Sequence, residues 1–219
     1  MGMAPLMAVL VLLAGAACTS GVRPQVAKPP ATDATTTTTT EETTTTFEAP
    51  AGYAAVVNRQ AGFALAVPST WKQLDIDSPD LAKLVDQLKA DNPRIARVLD
   101  KVGGLPALGG KLFVIDPATA DNVNIIVRAA GNARFEDAMK GAADEYAKAG
   151  ARVVEQRRIN LSDGDAIETK AELDVKGPSG TRKVSETQYY LLRHHTAYFL
   201  TVSARSPELD TIVHSFRVL

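Results

Sequence analysis

Side chains able to do chemistry are sparse in this chain of 219 residues, which has three histidines and one cysteine. His194 and His195 are adjacent, and neighbours on a strand point to opposite faces, so they cannot readily share one metal ion. They fall where two strands should turn, which makes them solvated turn residues. His214 lies in the last expected helix, on its exposed side. A Ser-His-Asp hydrolase needs a strained nucleophile turn such as G-x-S-x-G. The nearest Gly-Ser pairing, Pro178-Ser179-Gly180, reads as a hairpin tip. Asp75, Asp77 and Asp80 could pair as carboxylates, but they suit a loop and the first turn of a helix, where negative charge favours the dipole. Asp116, Asp121, Asp163 and Asp165 read as turn residues whose carboxylates bond local N–H groups. No catalytic residue, metal site or cofactor is expected.

One further segment invites a binding role. Gly103-Gly104-Leu105-Pro106-Ala107-Leu108-Gly109-Gly110 brackets a short apolar stretch with two glycine pairs. It lacks the Lys-Ser/Thr of a phosphate loop and does not follow a strand. Two readings stand: a flexible helix-to-strand connection, or a mobile lip (Gly103, Gly104, Leu105, Gly109, Gly110) over an apolar pocket.

The N-terminus bears on location. Met1 to Cys18 carries no charged side chain, and an apolar run from Leu6 to Leu13 leads into Ala14-Gly15-Ala16-Ala17. That is the layout of a secretory signal. Seventeen residues of helix reach only about 25 Å, short of a hydrocarbon core of about 30 Å. Gly15-Ala16-Ala17-Cys18 resembles a bacterial lipobox, with Gly at position −3 where Leu is usual. The resemblance implies that the Cys18 thiol receives a diacylglyceryl group and that Cys18 becomes the new N-terminus. Each buried methylene then contributes about 0.8 kcal/mol, and two or three chains on one cysteine anchor stably.

Residues 18–52 read as a disordered tether. Eleven of the fifteen residues from Thr32 to Thr46 are threonine, and prolines stand at 24, 29, 30 and 50. Such a segment cannot bury enough surface to offset its ordering entropy. As a coil it spans on the order of 30–35 Å, and Thr-rich stretches flanked by Pro are also candidates for O-glycosylation.

Residues 53–219 form one body large enough for a sizeable core. Removing Arg23 and Lys28 from the 24 basic residues leaves 22 in the body. Removing Asp33, Glu41, Glu42 and Glu48 from the 25 acidic ones leaves 21. A nearly neutral body argues against nucleic acid as a partner. Phe63, Leu65 and Val67 alternate before Pro68 and predict a strand, with Tyr53–Asn58 before it and Trp71–Leu74 after. Ser78-Pro79-Asp80 predicts a helix start with Ser as cap, and Pro93 restarts a second helix that Gly103-Gly104 stops. Strands are expected at 111–116 and 122–129, then a helix from Phe135 to near Gly150. Four longer strands follow, at 152–161, 165–175, 181–192 and 197–204, with a hairpin turn at 177–180. Ser206-Pro207-Glu208 opens a last helix with Leu209, Ile212, Val213 and Phe216 on its apolar stripe. Consecutive strands mean hairpins and an antiparallel sheet with helices on its faces, an α+β fold.

Gly62-Phe63-Ala64-Leu65-Ala66-Val67-Pro68-Ser69-Thr70-Trp71 resembles the opening hairpin of the PsbP/Mog-like superfamily. Gln188-Tyr189-Tyr190-Leu191, Tyr198-Phe199-Leu200-Thr201-Val202 and a closing helix over 212–217 fit it too. With the lipobox and threonine tether, the chain is similar to actinobacterial lipoproteins of the LpqN/LpqT type. The resemblance implies an α/β/α sandwich around an antiparallel sheet and no catalytic residues. The expectation is a lipid-anchored, extracytoplasmic envelope lipoprotein. Its body would be a non-enzymatic binding or assembly module for an envelope protein or cell-wall component. The alternative is a carrier of a lipid or small apolar ligand between helix and sheet.

Overall fold

The computed structural model describes residues 47–219, apart from 101, 132, 133, 149, 178, 179, 205 and 206. Cys18, the signal segment at 1–17 and most of the tether lie outside the described residues. Residues 47–52 lead into the body: Phe47 is half-buried, and Ser69 N–H donates to the Gly52 carbonyl at 3.0 Å.

The described residues form ten strands and four α-helices. The strands are β1 (Tyr53–Asn58), β2 (Phe63–Pro68), β3 (Lys72–Leu74), β4 (Gly110–Ile115), β5 (Asn122–Ala129), β6 (Ala151–Leu161), β7 (Gly164–Gly177), β8 (Gly180–Arg193), β9 (Thr196–Ser203) and β10 (Arg217–Val218). The helices are α1 (Leu81–Asp91), α2 (Ala96–Leu99), α3 (Phe135–Lys148) and α4 (Glu208–Ser215), with single 3₁₀ turns at Pro93–Ile95, Val102–Gly104 and Pro106–Leu108. All pairing is antiparallel. A seven-stranded sheet runs β3-β4-β5-β9-β8-β7-β6, and a small sheet runs β1-β2-β10. The α+β class and the helix–sheet–helix layering are as expected, with one outer layer shared between helix and small sheet.

Alternation along each strand decides what lies in each layer. Leu112, Val114, Val123, Ile125, Leu200, Val202, Leu191 and Tyr189 point to one face of the large sheet. They pack against Val56, Phe63, Leu65 and Val67 of the small sheet and Ile212, Val213 and Phe216 around α4. Phe63 stacks on Phe216, with centroids 6.2 Å apart, and Trp71 packs half-buried at the margin of this core. The opposite face carries two helical blocks. Leu81, Val85, Ile95, Val98, Leu99, Val102 and Leu105 cover Phe113, Ile115 and Ile126 at the β3-β4-β5 end. Helix α3 covers the β6-β7-β8 end, with Tyr146 against Ala151 and Ala171, and Phe135 against Ile167 and Tyr190.

Three local expectations are corrected. The closing helix stops at Ser215 rather than 217, because Phe216 turns extended (φ −60°, ψ 133°) to reach the core and Arg217–Val218 pair with β2. The Ser215 hydroxyl fixes that exit, accepting from Ala66 N–H at 2.9 Å and donating to the Ile212 carbonyl at 2.8 Å. Ser78 does not cap α1 directly. Its Oγ accepts from Asp80 N–H at 3.2 Å in the turn ahead of the helix, and Asp80 occupies the cap position. The second helix, expected as one run from Pro93, is broken into 3₁₀ and α pieces. No helix among the described residues is long and apolar enough to cross a membrane.

Candidate functional site

His194 and His195 form the two-residue connection between β8 and β9, flanked by the paired Arg193 and Thr196. Both have positive φ, 47° and 62°, the conformation that a type I′ hairpin turn requires. The turn is held from outside: Ala130 N–H donates to the His195 carbonyl at 2.7 Å, and His195 Nδ1 lies 2.9 Å from the Gly131 carbonyl. His214 is exposed on α4, in the opposite layer.

Asp75 and Asp116 are engaged locally, as turn chemistry predicts, whereas Asp163 and Asp165 bond residues outside their own turn. Asp75 Oδ1 accepts from Asp77 N–H at 3.1 Å. Asp116 accepts from Ala118 N–H and the Thr119 hydroxyl, both at 2.8 Å. Asp163 Oδ2 accepts from Val218 N–H, tying the C-terminal strand to the β6–β7 turn. Asp165 pairs with Arg158 at 2.6 Å. Among the described residues, no three metal-ligating side chains come together.

The second half of the segment Gly103–Gly110 is tied to β5 and to Leu105. Leu105 is fully buried in the core under α1 and α2. Gly109 adopts φ 81°, and a Cβ there would stand 2.7 Å from the Val127 carbonyl oxygen. A Cβ on Gly110 would stand 2.8 Å from Leu105. Val127 N–H donates to the Gly109 carbonyl at 2.9 Å, and Arg128 Nε to the Leu108 carbonyl at 2.8 Å. Gly103 and Gly104 are exposed with open space around them. Close approach to Val127 of β5 explains Gly109, and close approach to Leu105 explains Gly110.

The unusual chemistry lies on the helical face of the large sheet, between the two helical blocks. Asn124, Thr201, Gln188 and Thr169 stand side by side across β5, β9, β8 and β7, all buried. A second row, Asn122, Ser203 and Glu186, runs parallel one residue pair further along, also buried. Gln188 Nε2 donates to Thr201 Oγ1 at 3.2 Å, and Asn122 Nδ2 to the Ala120 carbonyl at 3.0 Å. Both polar atoms of the Asn124 amide, the Asn122 Oδ1 and the Tyr146 hydroxyl are buried without a hydrogen-bond partner. Burial, and then the nearby Glu186 carboxylate, push the Tyr146 phenol well above the usual tyrosine range.

Sequence reasoning missed this seam for a clear reason. Asn122-Val123-Asn124 and Thr201-Val202-Ser203 place polar residues at period 2, and Glu186-Thr187-Gln188 is polar throughout, as on a solvated sheet face. Here helices cover that face. The available signal was the coincidence of polar positions on three strands whose same face is apolar further along, at Ile126, Tyr190 and Phe199.

On the other face, Glu168 is buried beside Tyr189, whose hydroxyl donates to Glu168 Oε1 at 3.0 Å, while Arg157 Nε donates to Oε2. Beyond it, Glu155, Lys170, Arg152, Glu172 and Lys183 pair in exposed bridges on the long β6-β7-β8 ribbon. Those are solvated cross-strand pairs of small energetic weight.

No family model matches the chain, and no curated protein does. Among solved structures, the cyanobacterial PsbP protein CyanoP from Synechocystis sp. PCC 6803 superposes with a TM-score of 0.50 at 9% identity, covering 78% of this chain and 94% of that one. A Bacteroides thetaiotaomicron protein follows with a TM-score of 0.43 at 12% identity, over 75% of this chain and 48% of its own. PA94 of Pseudomonas aeruginosa, of unknown function, gives 0.35 at 13%, over 72% of this chain and 86% of its own. The likeness to CyanoP is one of fold: the body has a PsbP-like fold.

Proposed function

We propose that the protein is a lipid-anchored lipoprotein of the cell envelope, of the LpqN/LpqT type, whose body is a non-enzymatic binding module on the extracytoplasmic side. Cys18 is the acylation site, and the threonine-rich tether holds the body off the bilayer. The partner is an envelope protein or a cell-wall component. The observation that carries the binding role is the seam: amide and hydroxyl groups buried with hydrogen-bonding capacity unused, and every imidazole elsewhere. His194 and His195 sit at the far end of β8–β9, and His214 across the sheet, so no histidine is placed to activate Thr201 or Ser203. Recognition needs unmatched donors and acceptors; nucleophilic catalysis needs a base beside them. The chain enters the body at β1, on the small-sheet side, opposite the helical face that carries the seam.

Two measurements test this. Mass analysis of the mature chain should find an acylated Cys18 at its N-terminus, and Cys18→Ala should leave the chain unacylated and free of the membrane. Crosslinking in intact envelope should then trap a specific partner. A chain recovered from the cytosol, unmodified and still beginning at Met1, overturns the proposal.

A further inference from the structure

We infer that the free edge of the large sheet, strand β6, is a dimerisation surface whose occupant is β6 of a second copy of this chain, paired antiparallel about a two-fold axis at Gln156. Among the described residues, β6 pairs with β7 on one side and with no strand on the other. Arg152, Val154, Glu155, Arg157 and Arg158 are exposed along it. The hydrogen-bonding phase follows from the turn. Ser162-Asp163 is a two-residue connection, so Leu161 and Gly164 exchange both backbone bonds. The bonds to β7 then fall at 161, 159, 157 and 155, and the N–H and C=O groups of Gln156, Arg158 and Asn160 face outward.

Charge fixes the register. An axis normal to the sheet keeps each face continuous across the pair. With the axis at Gln156, its two copies exchange backbone bonds. Glu155 of each copy then stands opposite Arg157 of the other in a non-hydrogen-bonded pair, where cross-strand side chains are closest. An axis at Arg157 or Arg158 opposes two arginines, and one at Glu155 opposes two glutamates. Lys170 Nζ already lies 2.9 Å from Glu155, and Arg157 Nε 2.5 Å from Glu168. Pairing joins these into an alternating row, Lys170–Glu155–Arg157–Glu168, running across the axis in both directions. Charges and bulges ordinarily guard an edge against indiscriminate pairing. Here the charges admit one register, and the irregularity between Val153 and Glu155 ends the ladder. Of α3, Tyr146 packs on Ala151, away from the axis, and Phe135 packs inward on Ile167 and Tyr190. Face continuity also puts both small-sheet layers on one side. Residues 47–52 of each copy, which lead into β1 there, leave the dimer on that side, an arrangement compatible with two chains held in one bilayer.

The test uses the full chain. Sedimentation should show a monomer–dimer equilibrium with a midpoint between about 10 µM and 1 mM, as suits a short ladder with a small interface. Gln156→Pro removes the outward N–H at the axis without taking a bond from the β6–β7 ladder, and should weaken the dimer about tenfold or more. Gln156→Ala keeps that N–H and should stay within about threefold of the parent. Glu155→Arg sets arginine against Arg157 of the other copy and should weaken the dimer by about tenfold; it serves as the readout should Gln156→Pro fail to fold. Register is read with single cysteines in a Cys18→Ala chain, where the introduced thiol is the only one. Under mild oxidation Gln156→Cys should link two chains. Arg158→Cys should not, because its two copies stand about 14 Å apart along the strands, beyond disulfide reach. A monomer at every concentration overturns the inference. So does an unchanged dimer in Gln156→Pro and Glu155→Arg, an equal loss in Gln156→Ala, or a disulfide at Arg158→Cys in preference to Gln156→Cys. A monomer whose Gln156 and Arg158 amides resist hydrogen exchange would place another segment of the same chain on the edge, and overturns it too. None of these outcomes bears on the acylation of Cys18 or on the capture of an envelope partner.

Discussion

Tyr189 and Glu168 face each other across the β7–β8 ladder, and the phenol donates to the carboxylate at 3.0 Å in a site where Glu168 is only 6% exposed. Arg157 completes the carboxylate from β6 but is itself largely in solvent. The buried phenol–carboxylate bond therefore carries more than the outer ion pair. Glu168→Ala leaves the Tyr189 hydroxyl buried without an acceptor and should cost about 2–3 kcal/mol. Glu168→Gln keeps an acceptor and should cost less than half of that. Urea unfolding of the two variants checks the order.

Stability should fall on the alkaline side. Tyr146, Tyr189, Tyr190 and Tyr198 are all held above the usual tyrosine range, in each case first by burial, with Glu186 adding to Tyr146 and Glu168 to Tyr189. A folded-state pKa above the unfolded one means that the folded chain keeps a proton the unfolded chain releases. The stabilisation is complete below about pH 10, the unfolded value, and is lost as pH rises from there toward the folded values. The slope is about 1.4 kcal/mol per pH unit for each tyrosine still protonated only in the folded chain. Phenolate absorbance should appear for these four together with loss of structure. Ionisation of Tyr146 in a chain that stays folded would contradict it.

The β8–β9 turn stores conformational cost. Histidine tolerates positive φ poorly compared with Asn and Gly, yet His194 and His195 both adopt it. Replacing the pair by Asn-Gly should stabilise the body by about 0.5–1 kcal/mol, read as a rise in Tm. A fall would mean that the His195 ring contact to the Gly131 carbonyl outweighs the backbone gain.

The two glycine pairs of 103–110 should respond oppositely. Gly110→Ala drives a methyl into Leu105 and should destabilise by about 1–3 kcal/mol. Gly103→Ala meets open space at an ordinary φ and should be neutral or stabilising by up to about 1 kcal/mol. Thermal unfolding of the pair distinguishes a fastened turn from a mobile lip, which would tolerate both.

Much of the framework was legible because it depends on local periodicity. Alternation at Phe63, Leu65 and Val67 predicted β2, and the 3.6-residue stripe Phe135, Ala138, Met139, Ala142 and Tyr146 predicted α3. The four long strands came within a few residues of their ends, and the histidine pair was placed at a turn. Less legible were features set by distant contacts. The register of β10 beside β2 depends on Phe216 finding Phe63, from a segment 153 positions further along the chain.

What the sequence by itself determined was the class of elements, their order and the polar alternation of β5, β8 and β9, since each follows from neighbours within a few residues. Whether that polar alternation met water or protein was a tertiary matter. It was decided when the α1–α2 block closed over one end of the sheet and α3 over the other, leaving Asn122 and Asn124 buried beneath them. Burial is a property of the assembled layers, and one strand's pattern reads the same whether its polar face looks out to solvent or in toward a site.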